Sequence, residues 1–116
     1  RRGAGVVFTG SLMAVEPHGM SLSYGVTKSA VHALAKNLVK FLAPYGVRVN
    51  AVAPGFTETE MVRRMDPKAR SELTSKIPMQ RMATPLEIAN TVRFLAGSEA
   101  SYITGQVLTL DGGLTL

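Results

Sequence analysis

The chain has 116 residues, of which 46% are hydrophobic and 18% charged, so its length suits one domain and its composition excludes intrinsic disorder. The absence of cysteine excludes disulfides, thiolate zinc sites and a thiol nucleophile, and no apolar run reaches the roughly 18 residues that a membrane-spanning helix needs. The net charge of +5 does not indicate a nucleic-acid interface, because the basic residues are dispersed and aromatic residues make up only 6%.

The first predicted element is a buried strand over residues 5–9, because Gly-Val-Val-Phe-Thr is a short continuous run with β-branched residues. Residues 10–20 are predicted to be a loop, with a turn at Pro17-His18-Gly19. A histidine in such a turn is typically exposed, and the alternative for His18 is that it borders a substrate.

A long helix is predicted from Ser23 to Ala43, with Ser23 as its N-cap. Pro44 and Gly46 end it. Apolar residues recur along it at three- and four-residue spacing, which predicts one buried stripe. The stripe consists of Val31, Leu34, Ala35, Leu38 and Leu42.

The middle of the chain is predicted to contain a second strand and an irregular helical segment. Residues 47–53 are strand-like and end at Pro54-Gly55. Residues 59–76 have helical character but are broken at Asp66-Pro67. Four methionines in and after this segment either line an adaptable apolar pocket or pack in the core. They are Met61, Met65, Met79 and Met82.

The last predicted elements are a helix and a third strand. Thr84 and Glu87 have the spacing of a capping box, and the helix that they open ends at Gly97. Its predicted core stripe is Ile88, Ala89, Val92, Leu95 and Ala96. The third strand covers residues 106–110, and Asp111-Gly112-Gly113 is interpreted as the turn that follows it.

The order of elements, with helices between successive strands, predicts an α/β fold with right-handed crossovers and a parallel sheet. Three strands make a small sheet. The first strand would leave a row of unpaired backbone groups at its outer edge unless an upstream element covers it.

Tyr24 and Lys28 lie four residues apart at the start of the long helix, so their side chains share one face. A phenol keeps its proton at neutral pH, and a nearby ammonium favours the phenolate. The pair can therefore act as a general acid or base on a carbonyl or an alcohol. The alternative is that Lys28 belongs to a solvated face. That face continues through His32, which we interpret as structural, Lys36 and Lys40.

The order of elements along the chain is a second indication that Tyr24 and Lys28 belong to a functional site. Ser11 follows the first strand, Pro54-Gly55 follows the second, and Tyr24 stands near the start of the intervening helix. Ligands of parallel α/β sheets bind at the carboxyl ends of the strands. We therefore expect these residues to meet in one crevice, where a carbonyl oxygen can accept hydrogen bonds from Ser11 and Tyr24 together.

Four motifs of the chain form a specific combination. They are Ser11, Tyr24-x-x-x-Lys28, Val49-Asn50-Ala51-Val52-Ala53-Pro54-Gly55-x-x-x-Thr59 and Asp111-Gly112-Gly113. Together they resemble the short-chain dehydrogenase/reductase family over residues 3–113. Residues 53–61 and 99–105 are most similar to its 3-oxoacyl-carrier-protein reductase branch. The resemblance implies that residues 1–116 are the C-terminal half, with the last three strands, of one Rossmann-like oxidoreductase domain.

The resemblance also implies the roles of the site residues in NAD- or NADP-dependent reduction of a carbonyl, of 3-oxoacyl or other ketone type, or in the reverse oxidation. Tyr24 would be the general acid, Lys28 would hold the nicotinamide ribose, and Ser11 would polarise the carbonyl. Residues 57–82 would form a mobile substrate lid. The implied cofactor-binding residues are Tyr24, Lys28, Pro54, Gly55, Thr57 and Thr59.

The sequence departs from the family's pattern in its cofactor-binding features. Gly3-Ala4-Gly5 precedes a strand instead of following one, so it is not the glycine-rich turn that receives a pyrophosphate. The residue that selects NAD or NADP and the upstream Asn of the family's catalytic tetrad have no counterpart here. The alternative function is therefore a catalytically inactive truncated remnant that serves as a subunit or interaction module.

The expected partners follow from the same resemblance. Arg2 matches one of two basic positions associated with docking acyl carrier protein, but Tyr45 occupies the other. We therefore expect small free ketones or acyl thioesters to be accepted at least as readily as carrier-bound ones. The resemblance further implies a cytoplasmic homotetramer, associated partly through the helix at residues 24–43, with a place in fatty acid biosynthesis. No metal, signal peptide, nucleic acid or membrane is expected.

Overall fold

The computed structural model describes residues 3–16 and 21–116. Arg2 and the predicted turn with His18 lie outside these ranges. The helices are α1 Leu12–Val15, α2 Leu22–Leu42, α3 Glu60–Arg63, α4 Pro67–Ser75 and α5 Pro85–Ala96, with short 3-10 turns at Ala43–Tyr45 and Ser98–Ala100. The strands are β1 Gly5–Thr9, β2 Arg48–Pro54 and β3 Val107–Leu110. No helix of the described part is long and apolar enough to cross a membrane.

All three strands form one parallel sheet in the order β1-β2-β3, which confirms the predicted Rossmann-like α/β fold class. The register pairs Val7 with Asn50 and Ala51 with Val107. In the described residues, β1 pairs with a strand on one side only, so its other edge is free.

The core lies on both faces of the central strand β2. Val49 and Ala51 pack with Ala35 of α2 on one face, whereas Val52 packs with Leu95 of α5 on the other. The three β2 side chains and the Leu95 side chain are almost fully buried. Burying an aliphatic side chain of this size stabilises a fold by about 1.5–3 kcal/mol, so the two helices are held to the sheet mainly by these contacts.

Several predicted boundaries are wrong. The loop predicted over residues 10–20 contains the one-turn helix α1, which Ser11 caps by accepting a hydrogen bond from the Met13 N–H. Helix α2 has Ser21 as its N-cap, so the predicted cap Ser23 lies inside the first turn. The starts of α2, β2 and β3 each differ by one residue from the predicted starts. A one-turn helix is too short to show a hydrophobic period, which is why the pattern missed α1.

The predicted buried stripes are also partly wrong. Leu34 is 47% exposed, whereas Ala35 beside it is buried against β2. On α5, Ala89 and Ala96 are exposed and Leu95 is the buried residue. His32, which we interpret as structural, is buried, so it does not belong to the solvated face that the lysines of α2 could form. Each helix therefore contacts the sheet through a narrower face than the full apolar stripe.

The predicted start of α5 is confirmed. Thr84 accepts a hydrogen bond from the Glu87 N–H, and the Glu87 carboxylate accepts one from the Thr84 N–H. The Arg81 guanidinium binds the same carboxylate through two hydrogen bonds of 2.8 Å. The bonds from Arg81, followed by the one from the Thr84 backbone, lower the pKa of Glu87 to about 2. Glu87 therefore stays ionised, in its capping form, throughout the neutral range.

Arg48 is a buried cation that holds the end of α5 to the sheet. Its guanidinium donates to the Leu95 carbonyl at 2.7 Å and to the Gly97 carbonyl at 2.9 Å. The last carbonyls of a helix have no partner within it, and a cation placed there is favoured by the helix dipole.

We expect Arg48→Met to destabilise the full-length protein by about 2 kcal/mol, because the apolar stem is kept while buried carbonyls lose charged donors. The free energy of unfolding is measured by urea denaturation. Arg93→Met, at an exposed arginine of α5, is the control. Equal unfolding midpoints for the two variants would show that the Arg48 bonds contribute nothing measurable.

Candidate functional site

One pocket of about 520 Å³ opens at the carboxyl ends of β1 and β2. The seven residues predicted to act in catalysis or cofactor binding all line it. They are Ser11, Tyr24, Lys28, Pro54, Gly55, Thr57 and Thr59. The crevice expected from the order of strands and helices is therefore present, and four separate parts of the chain contribute to it.

Ser11 is fixed at the junction of β1 and α1. It is 6% exposed, and its Oγ accepts a hydrogen bond of 3.2 Å from the Met13 N–H. Its own N–H donates to the imidazole Nε2 of His32, also at 3.2 Å. Because the hydroxyl acts as an acceptor towards Met13, its proton remains available for a group in the pocket.

Tyr24 and Lys28 lie on the same face of α2, as their spacing predicts. The Lys28 Nζ is 5.8 Å from the centroid of the Tyr24 ring, close enough for a cation–π contact. The same Nζ donates a hydrogen bond of 3.1 Å to the Thr9 carbonyl at the end of β1. Tyr24 is 43% exposed. The hydrogen bond to the end of β1 thus holds the Lys28 ammonium beside the Tyr24 ring. The face of α2 that carries these two residues, near the N-terminus of the helix, is part of the pocket wall.

Thr57 and Thr59 border the pocket while bonding to nearby backbone. The Thr57 hydroxyl donates to the Gly55 carbonyl at 3.1 Å. The Thr59 Oγ1 caps α3 by accepting from the Val62 N–H at 3.3 Å. As with Ser11, the proton of the Thr59 hydroxyl is left for another acceptor.

Residues 57–82, which we call the lid segment, contain α3 and α4 and are tied down at both ends. Near its start, Arg70 of α4 forms an ion pair with Glu58. At its end, Ile77 and Met82 are buried. Between these ends, Met61 is 80% exposed and lines the pocket. Of the alternatives for the methionines, Met61 therefore lines a pocket and Met82 packs in the core.

The turn after β3 also reaches the pocket, which the sequence did not predict. Leu114 and Thr115 line it. The Asp111 carboxylate accepts from the Thr115 hydroxyl at 2.6 Å, and from the Gly113 and Thr115 N–H groups at 3.0 Å each. Burial acts to raise the pKa of Asp111, but these hydrogen bonds outweigh it and the pKa is lowered. The aspartate therefore remains a carboxylate that holds Thr115 at the pocket.

Gly112 in this turn allows the lid segment to pack against it. Its φ is +63°, and a Cβ there would lie 2.7 Å from the Ile77 Cγ2. A side chain would therefore both strain the backbone and displace Ile77. The predicted Asp-Gly-Gly turn is confirmed, and both of its glycines pack against the lid segment, Gly112 against Ile77 and Gly113 against Pro78.

Comparison with known proteins adds independent information on the family of this chain. A family model described as enoyl-(acyl carrier protein) reductase matches residues 1–115. The curated 3-oxoacyl-[acyl-carrier-protein] reductase of Thermotoga maritima is 40% identical over 116 residues, which are 100% of this chain and 47% of that protein. The chain thus spans less than half the length of this relative.

Solved structures agree with the sequence comparison. The 3-oxoacyl-[acyl-carrier protein] reductase of Brucella melitensis with bound NAD has 34% identity and a TM-score of 0.86, covering 97% of this chain and 41% of that one. The ligand-free aldohexose dehydrogenase of Thermoplasma acidophilum has 36% identity and a TM-score of 0.89, covering 99% and 49%. With motifs, fold and relatives in agreement along nearly its whole length, this chain belongs to the short-chain dehydrogenase/reductase family.

Proposed function

We propose that the full-length protein is a NAD- or NADP-dependent oxidoreductase that interconverts a carbonyl compound and the matching secondary alcohol. The observation that carries this proposal is the placement of Ser11, Tyr24 and Lys28 around one pocket at the carboxyl ends of parallel strands. Family membership and the NAD bound by the Brucella relative support it.

In the reduction direction, Tyr24 donates its phenolic proton to the substrate oxygen, and the Ser11 hydroxyl donates a second hydrogen bond to the same atom. Negative charge develops on that oxygen as the carbonyl is reduced, so two donors aimed at it lower the barrier. In the oxidation direction, the Tyr24 phenolate takes the proton from the alcohol.

Lys28 has the donors that the nicotinamide half of a cofactor needs. An ammonium carries three N–H groups, and the bond to the Thr9 carbonyl uses one of them. The other two can bind ribose hydroxyls. Residues 54–59 form the adjoining wall of the pocket. The bound cofactor supplies the hydride in one direction and accepts it in the other.

The pocket wall favours a substrate with an apolar chain over a sugar. Several aliphatic side chains line it, from α1, α3 and the turn after β3. They are Leu12, Met13, Met61, Val62 and Leu114. Flexible methionine side chains adapt to chains of different shape. We therefore place 3-oxoacyl-type ketones first among the carbonyl compounds that it would reduce.

The test uses the full-length protein with NADH or NADPH and a short 3-oxoacyl thioester, followed by the loss of reduced-nicotinamide absorbance. We expect turnover with at least one of the two cofactors. Oxidation of an aldohexose without reduction of the thioester would contradict the substrate class. Failure of hydride transfer with both substrate types would contradict the proposed function.

A second measurement addresses Lys28. We expect Lys28→Met to weaken cofactor binding by about 10-fold or more, because the ribose hydroxyls lose charged N–H donors. Methionine keeps the length of the side chain and removes its charge. Lys40→Met, on the same helix but outside the pocket, is the control. A cofactor Kd that is the same in both variants would show that Lys28 belongs to a solvated face and does not bind the cofactor.

A further inference from the structure

His32 is a buried titratable group with no part in the mechanism above. It follows Lys28 by one turn of α2 and is 9% exposed. Its Nε2 accepts the hydrogen bond from the Ser11 N–H at 3.2 Å, across 21 positions of sequence. A side chain of α2 is thus bonded directly to the backbone of the residue that would bind the substrate oxygen.

The imidazole also packs tightly against Gly10, the residue before Ser11. A Cβ at Gly10 would lie 1.8 Å from the His32 Nε2 and 2.2 Å from its Cδ2, so only glycine permits this contact. The Gly10 N–H donates to the Val52 carbonyl at 2.8 Å. The β1–α1 junction is therefore held by β2 on one side and by the His32 ring on the other.

The Ser11 bond requires the neutral form of His32. An imidazole nitrogen that accepts from an N–H carries no proton, so a proton of the neutral ring resides on Nδ1. Burial, followed by the positive charges of Lys36 and Lys28, lowers the pKa of His32 below its ordinary value. The lowered pKa favours the neutral ring that the bond to Ser11 requires.

Among residues 3–16 and 21–116, the elements that pack against His32 bring no further charge to it. Gly10 and Ser11 at the β1–α1 junction are uncharged, and α1 consists of Leu, Met, Ala and Val. The charged residue of β2, Arg48, binds the carbonyls at the end of α5. Within the part of the chain that the structure describes, Lys36 and Lys28 of its own helix are therefore the charges that act on the ring.

We propose that His32 is a positioning residue for Ser11, whose neutral imidazole holds the Ser11 backbone so that the hydroxyl faces the pocket, and that protonation of His32 releases this hold. The inference rests on the proposed function, because it takes Ser11 as the donor to the substrate oxygen. On protonation, Nε2 becomes a donor and faces the Ser11 N–H, so the two groups repel and the junction must shift.

The test compares His32→Leu with His32→Gln in the full-length protein. Leucine removes the acceptor, whereas the glutamine side-chain oxygen can take the place of Nε2 and has no proton to gain. We expect His32→Leu to lower kcat by about 10–100-fold, as a displaced substrate-orienting group does, with the cofactor Kd unchanged. His32→Gln should recover most of this loss, and its rate should fall less than the wild-type rate as the pH is lowered.

Ser11→Ala separates positioning from general stabilisation. If His32 acts through Ser11, adding His32→Leu to Ser11→Ala lowers kcat by less than about twofold, because coupled residues are non-additive. An equal loss with and without the Ser11 hydroxyl would overturn the proposal. If His32→Leu does not fold, the pH dependence of the rate in His32→Gln decides. A decrease in rate at low pH that is identical in His32→Gln and in the wild type would overturn the proposal.

The same series separates this inference from the proposed function. Loss of activity in Ser11→Ala, with full activity in His32→Leu, would overturn the positioning role and leave the oxidoreductase proposal standing. Full activity in Ser11→Ala would overturn this inference, because Ser11 would then have no role for His32 to support, while the retained activity would still support the oxidoreductase proposal.

Discussion

Tyr24→Phe is expected to lower kcat by about 10²–10⁴-fold in the full-length protein, the usual contribution of a general acid. The substitution removes the one proton that the mechanism transfers and leaves the ring in place. Tyr24 is only partly buried at the mouth of the pocket, so loss of its hydroxyl opens no cavity in the core. The measurement is kcat at saturating concentrations of cofactor and substrate, with thermal unfolding of the same samples.

Tyr102→Phe is the matched control for this prediction. Tyr102 is 100% exposed and lies away from the pocket, so the same chemical change there should leave kcat and the unfolding temperature as they are in the wild type. A Tyr24→Phe variant with the kcat of this control would show that the proton comes from another group.

The sequence predicted those parts of the fold whose signals are local. Thr84 and Glu87 stand three apart at a helix start, and both capping bonds are made. The strand predicted over residues 47–53 is present as β2, whose residues are buried except for the last, as suits a central parallel strand. The strand predicted to be buried over residues 5–9 is present as β1, but its residues are only partly buried or exposed, because it lies at the edge of the sheet. Asp66-Pro67 ends one helical stretch and opens α4, because proline fits the first turn of a helix and disrupts its interior.

The sequence failed where contacts between distant segments decide the structure. His32 occurs in a row of lysines, and its burial depends on Gly10, which lies 22 positions earlier and lacks a side chain. No periodicity within α2 shows such a contact. Leu34 has the spacing of a core residue, yet it is exposed, and it is Ala35 that packs against the sheet. A helix pattern shows which face is apolar, but the neighbouring elements set how much of that face they cover.

In the candidate site, too, features with local sequence signals could be predicted, and those that depend on contacts between distant segments could not. The convergence of Ser11, Tyr24 and Pro54 could be predicted, since the carboxyl ends of parallel strands lie at one edge of the sheet. The approach of Leu114 and Thr115 could not, because it depends on the path of the chain after β3. That path is set by the bonds to the Asp111 carboxylate and by the contact of Gly112 with Ile77.

Ser11→Ala is expected to lower kcat/KM by about 10²–10³-fold, the typical cost of removing one donor from the oxygen on which charge develops. Its hydroxyl is nearly buried at the pocket and bonded as an acceptor to the Met13 N–H, so the oxygen is already oriented before substrate arrives. Alanine removes that donor while the backbone bond to His32 remains possible. The cofactor Kd should change little, because the proposed contact is with substrate.

Ser11→Thr distinguishes the role of Ser11 as hydrogen-bond donor to substrate from its role as N-cap of α1. Alanine also removes the cap of α1, a loss of about 1 kcal/mol in the free energy of unfolding that is too small to unfold most domains. Ser11 has φ −160° and ψ 149°, an extended conformation that a β-branched residue adopts readily, so threonine can restore both the hydroxyl and the cap. We expect the threonine variant to regain most of the lost kcat/KM. If alanine keeps wild-type kcat/KM and only lowers the unfolding temperature, Ser11 is a helix cap and the substrate oxygen is bound by other donors.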